Sequence, residues 1–132
     1  MHEDGKSLSV PMIQTELSRL KTYVTENITR RPLASYAPEA YVSAFNTFSE
    51  SAGTVMQSIK AMNDEAAAAR YLHELGNLYA GITYGIQERI RETKASTLPQ
   101  PEKQMDLQSY NRLLAAVQHR HEIIRQVSLS KI

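Results

Sequence analysis

Cysteine is absent from the sequence. A chain without cysteine has no disulfide bond, no thiolate ligand for zinc and no thiol nucleophile for catalysis. The absence is compatible with a reducing compartment, and residues 1–10 lack the continuous apolar run of a secretory signal peptide. The sequence therefore predicts a cytoplasmic protein whose fold does not depend on disulfides.

A strong charge of either sign is also missing. The chain of 132 residues has 15 Lys and Arg against 14 Asp and Glu, which gives a net charge of +1. As a whole it has no strong electrostatic attraction for nucleic acid or anionic lipid. No stretch approaches the ~20 apolar residues of a membrane-spanning helix, so we expect no span. With 42% hydrophobic residues, the sequence predicts a single helical domain over residues 1–132.

Catalytic and metal-binding motifs are the third absence. No serine stands in a Gly-x-Ser-x-Gly context, and no glycine belongs to a phosphate-binding loop. The histidines are His2, His73, His119 and His121, and no two have the spacing that places a pair of ligands on one helix face. We therefore predict no metal, no cofactor and no enzymatic activity. His121 lies on an apolar stripe, which predicts a half-buried core histidine.

The chain does have helical periodicity between its prolines. Apolar residues recur at steps of three and four, and no segment shows the alternation of a strand. Helices are predicted to begin near Pro11, at Pro38, after Asn63-Asp64 and after Asp106, with a flexible N-terminus at 1–9 and linkers at 29–37 and 95–105. The prediction is an all-α fold: an antiparallel helical bundle of about four amphipathic helices, or three helices and an N-terminal arm.

The stretch GNLYAGITYGIQ, residues 76–87, contains three of the five glycines. One interpretation is a DNA-reading helix-turn-helix with Gly76 in the turn. The second interpretation is one continuous helix, because the apolar residues keep an unbroken heptad-like phase across Gly76. We favour the continuous helix, since a turn at Gly76 would reset that phase. The apolar residues concerned are Leu72, Leu75, Tyr79, Ile82, Ile86 and Ile90.

Glycine inside a helix costs about 1 kcal/mol relative to alanine, so close packing against these positions is expected to offset the cost. The close neighbour is either another part of this chain or a partner helix. We predict a non-enzymatic interaction module, such as an adaptor, an assembly or secretion chaperone or an accessory factor, that binds a partner helix or forms a homo-oligomer. The predicted surface comprises His73, Asn77, Gly81, Tyr84, Gly85 and Glu88, together with the mostly uncharged face of the second helix at Asn46, Ser49, Gly53 and Gln57.

The alternative prediction is a nucleic-acid-binding or transcription-regulatory protein. Phosphate contacts need cations, and basic residues follow the first helix and recur along the last one. A solvated helix face explains the same residues without a ligand. The residues that would carry nucleic-acid binding are Arg30, Arg31, Arg112, Arg120 and Arg125.

Overall fold

The computed structural model describes residues 9–29 and 38–131, with side chains described as far as Ser128. These residues form α1 (Val10–Val24), which continues into a π-helical segment (Thr25–Thr29), and then α2 (Pro38–Lys60), α3 (Glu65–Ala95) and α4 (Gln100–Lys131). No strand occurs in the described part of the chain. The prediction of an all-α helical bundle is confirmed.

The helix starts follow the local sequence. Pro11 occupies the first turn of α1, where a missing backbone N–H costs nothing. Pro38 opens α2 for the same reason. At α3 the Asp64 carboxylate accepts a hydrogen bond of 3.1 Å from the backbone N–H of Ala67, which satisfies one of the free donors of the first turn.

The last two helices run in opposite directions. Lys103 near the start of α4 donates to the backbone carbonyl of Lys94 near the end of α3, and His121 lies against Gly76 farther along both helices. α3 and α4 are therefore antiparallel. Both α1 and α4 pack on the pair formed by α2 and α3. The buried core takes apolar side chains from all four helices and from the π-helical segment.

An aromatic cluster holds the middle of the bundle together. Tyr79 of α3 meets Phe48 of α2 edge to face, with the ring centroids 5.1 Å apart, and meets Phe45 at 6.2 Å. On its other side Tyr79 stacks on His121 of α4 at 6.1 Å. Such pairs contribute about 0.5–1.5 kcal/mol each beyond the area they bury. His121 is half-buried, as its position in the apolar stripe predicted.

The connection between α3 and α4 is shorter than predicted. We expected a linker over 95–105 with Asp106 at the start of the last helix, but α3 ends at Ala95 and α4 begins at Gln100. Pro101 lies in the first turn of α4, a position that proline favours. Asp106 is inside the helix and caps nothing. Of the predicted linker at 29–37, Thr29 belongs to the π-helical segment, and residues 30–37 lie outside the described residues, as do residues 1–8.

Candidate interaction surface

The glycine-rich stretch is one uninterrupted α-helix. α3 runs through Gly76, Gly81 and Gly85 without a turn. The helix-turn-helix interpretation fails on this point, because its two helices would have to be separated at Gly76. The prediction of a continuous helix is confirmed.

Two of the three glycines lie against other parts of this chain. A Cβ atom added at Gly76 would stand 3.6 Å from Nε2 of His121 in α4. At Gly85 it would stand 3.2 Å from Cγ2 of Ile28 and 3.4 Å from Cγ2 of Thr29, both in the π-helical segment. Gly85 is buried, so the structure places it in the interior instead of on the outer face where the sequence placed it.

Gly81 differs from the other two because it has open space around it. A Cβ atom added there meets no atom of the described residues within 4 Å. Its neighbours on the same face, His73 and Asn77, are exposed, and the side chain of Tyr84 is 63% exposed. Glu88 is half-buried and pairs with Arg91 on the same helix. We call His73, Asn77, Gly81, Tyr84 and Glu88 the α3 surface.

Three of the four predicted residues of the second helix also face outward. Asn46, Gly53 and Gln57 are exposed, and a Cβ atom added at Gly53 would again meet nothing within 4 Å. Ser49 is half-buried and forms a hydrogen bond with Tyr79. Burial raises the pKa of Tyr79, while the nearby Arg120 and this hydrogen bond act in the opposite direction. We call Asn46, Ser49, Gly53 and Gln57 the α2 surface.

Gln57 of the α2 surface and Tyr84 of the α3 surface point away from each other, whereas Ser49 reaches α3 through its hydrogen bond with Tyr79. Phe48 and Tyr79 are in contact, so they mark the sides on which α2 and α3 face each other. Gln57 lies about 180° around α2 from Phe48, and Tyr84 lies about 140° around α3 from Tyr79, at 100° per residue. One partner helix therefore cannot cover both surfaces.

The basic residues of the nucleic-acid alternative do not share one face of α4. Arg112, Arg120 and Arg125 are all exposed. Arg120 lines a cavity that faces α2, whereas Arg125 lines a groove that faces α3 and pairs with Glu122 at 2.6 Å. Arg30 and Arg31 lie outside the described residues. A continuous basic strip suited to a phosphate backbone is not formed by the three arginines that are described.

A groove between α2 and α4 was not foreseen from the sequence. Its volume is about 380 Å³, and it joins the first half of α2 to one residue of α4. No sequence signal connects these segments, because their proximity depends on how the two helices pack. The residues that line it are Pro38, Glu39, Val42, Ser43, Asn46, Thr47, Glu50 and Ser109.

Within the described residues no group of three or more His, Asp or Glu side chains is placed to hold a metal ion. None of the helices between Val10 and Lys131 is long and apolar enough to cross a bilayer. Comparison with protein-family models, with curated proteins and with solved structures finds no match to this chain.

Proposed function

We propose that this chain is a non-enzymatic protein–protein interaction module of the cytoplasm, acting as an adaptor, an assembly factor or a chaperone. It binds a helix of a partner protein, or of a second copy of itself, through the α3 surface. The observation that carries the proposal is the open space at Gly81. The absence of cysteine is in keeping with a reducing compartment.

Gly81 weakens α3 without improving the packing of this chain. Glycine inside a helix costs about 1 kcal/mol relative to alanine. At Gly76 and Gly85 this cost accompanies close contacts with His121 and Ile28, but no such contact exists at Gly81. A missing side chain on an outer helix face allows the backbone of another helix to approach closely, as in small-xxx-small helix pairs.

Tyr84 supports the same surface. It lies almost one turn beyond Gly81, and its side chain is 63% exposed. Tyrosine is enriched among the residues that dominate binding energy, because its ring buries a large area while its hydroxyl stays hydrogen bonded. Between Asn77 and Tyr84 the face carries no charge, which lowers the cost of removing water when a partner helix docks.

The test is Gly81→Leu, measured by size-exclusion chromatography with light scattering and by co-purification with proteins of the native host. Because nothing lies within 4 Å of the Gly81 Cβ position, we expect the variant to fold and its complex to be lost. Ala115→Leu is the matched control, since Ala115 is exposed on α4 and the substitution adds a leucine away from the α3 surface. A wild-type chain that is monomeric and binds no protein would contradict the proposal, as would a Gly81→Leu variant that still assembles.

A further inference from the structure

The groove between α2 and α4 has an apolar floor and a polar rim. Pro38 is buried and Val42 is half-buried, so these two side chains form the floor near the start of α2. Ser43, Asn46 and Thr47 are exposed along one wall, and Ser109 of α4 contributes to the other. The groove includes Asn46 of the α2 surface, so a partner in it would contact a residue of that surface.

The charge in the groove is negative. Glu39 and Glu50 are exposed among its lining residues, and no Lys or Arg is among the described residues that line it. Asp106 of α4 lies close by: its pKa is raised by burial and by the neighbouring carboxylates of Glu39 and Glu102. None of these carboxylates belongs to an ion pair among the described residues. The carboxylates of Glu39 and Glu102 repel that of Asp106, and a bound cation would relieve that repulsion.

A positive charge lies along the same boundary between α2 and α4, nearer the end of both helices. A small cavity of about 70 Å³ follows there, lined by Gly53 and Met56 of α2 and by Arg120 and Ile123 of α4. The Ile123 side chain is 42% exposed. The boundary between α2 and α4 is thus acidic at the Pro38 end and basic at the Arg120 end.

We propose that the groove between α2 and α4 binds a cationic, amphipathic helix of a partner protein, with an apolar residue of that helix seated over Pro38 and Val42. This inference rests on the proposed function, in which the chain binds a helix of a partner protein, and it specifies the charge and polarity of a helix that binds beside α2. Glu39 and Glu50 are about 16 Å apart along α2, at 1.5 Å per residue, so the partner places two cations about three turns apart.

A second copy of this chain does not fit the groove as well. In a two-fold pair whose axis passes through the groove, the carboxylates of one groove would stand opposite those of the other. Like charges set opposite each other across an interface disfavour association. A foreign helix with two cations fits both carboxylates of the groove, whereas the opposite end of the boundary in a second copy offers only Arg120 among the described residues. Self-pairing, either groove to groove or with the groove of one copy against the Arg120 end of the other, is an outcome that the test can reveal.

The probe is a synthetic helical peptide of about 18 residues, long enough for partial helicity, with two lysines about three turns apart and leucine between them. Its control replaces both lysines with glutamate. Binding is measured by fluorescence anisotropy. We expect only the lysine peptide to bind, with an affinity that falls as ionic strength rises from about 0.05 M to about 0.5 M.

Two sets of variants test the charge argument in opposite directions. Glu39→Gln combined with Glu50→Gln should weaken binding of the lysine peptide about tenfold, and Arg120→Gln should strengthen it about twofold. Glu65→Gln is the matched control, because Glu65 is exposed in the first turn of α3 and outside the groove. If the substitutions acted by unfolding the protein, both Glu39→Gln with Glu50→Gln and Arg120→Gln would weaken binding of the lysine peptide, instead of changing its affinity in opposite directions.

Several results would overturn the groove proposal. The first is that the lysine peptide does not bind, or that the glutamate peptide binds equally well. The second is that the Glu39→Gln, Glu50→Gln variant binds the lysine peptide as tightly as wild type does. The third is a wild-type dimer that those two substitutions strengthen. If the lysine peptide fails while Gly81→Leu still abolishes a complex, the groove proposal fails alone. If Gly81→Leu and wild type behave identically while the lysine peptide binds, the α3 surface is the part that fails.

Discussion

At the scale of single residues, the three glycines of α3 have three different surroundings although they share one sequence motif. Gly76 faces His121, Gly85 is pressed against the π-helical segment, and Gly81 faces open space. The sequence predicted that something packs against them, but it placed Gly85 on the outer face, and the structure places it in the interior. That distinction depends on Ile28 and His121, residues remote in sequence that only the packed bundle brings to α3.

The stability of alanine variants should follow these surroundings. Gly81→Ala is expected to stabilise the fold by about 1 kcal/mol, because α3 gains helix propensity without a new contact. Gly85→Ala should destabilise it by up to about 2 kcal/mol, since Ile28 is fully buried, has little room to move, and overpacking outweighs the gain in propensity. Urea unfolding of both variants measures the difference. Equal changes would show that the π-helical segment does not press on Gly85.

At the scale of helices, apolar spacing was enough to predict α3, and Pro38 was enough to predict the start of α2. The phase from Leu72 to Ile90 is unbroken, and Pro38 opens α2 as expected. The predicted start of α4, after Asp106, was wrong, because two closely spaced prolines, Pro99 and Pro101, are typical of an extended linker. Proline also fits the first turn of a helix, and hydrogen bonds from Lys103 and Ser96 to α3 hold the shorter connection.

The extra turn of α4 places Asp106 among carboxylates, and this predicts a pH-dependent stability. Burial, with Glu39 and Glu102 nearby, raises the pKa of Asp106 above its ordinary value of 3.8. The protonated carboxyl is therefore favoured in the folded state, so its contribution is fully present below about pH 4 and is lost as pH rises through the raised pKa. Asp106→Asn should stabilise the fold at pH 7 by no more than about 0.5 kcal/mol, because solvent screens the carboxylate.

Thermal unfolding of wild type and Asp106→Asn at several pH values measures this effect. The gain from the substitution should shrink as the pH is lowered through the raised pKa of Asp106, because the wild-type carboxyl then takes up a proton. Glu65→Gln again serves as the control, since Glu65 stands in the first turn of α3. A gain that stays constant with pH would mean that asparagine acts through packing and not through removal of charge.

At the scale of the whole molecule, the arrangement of the helices separates the two predicted surfaces. α2 and α3 pack on each other through Phe48 and Tyr79, so their outer faces point away from each other. Sequence periodicity indicated an outer face on each helix. It could not predict the angle between the two faces, because that angle depends on how each helix is rotated about its axis in the bundle. The groove beside α2 was missed for the same reason, since Ser109 reaches it only through the packing of α4.

This separation predicts that the two surfaces bind independently. Gly81→Leu should leave the affinity for the lysine peptide unchanged, and Glu39→Gln with Glu50→Gln should leave the complex formed through the α3 surface intact. Substitutions at sites that share no partners have additive effects, within about 0.5 kcal/mol. Fluorescence anisotropy measures the affinity of the lysine peptide for wild type, Gly81→Leu and Glu39→Gln with Glu50→Gln. Light scattering of the same samples shows whether the complex through the α3 surface forms. If Gly81→Leu weakens the peptide more than threefold, the surfaces are coupled through Tyr79 and Phe48, the residues that join α3 to α2.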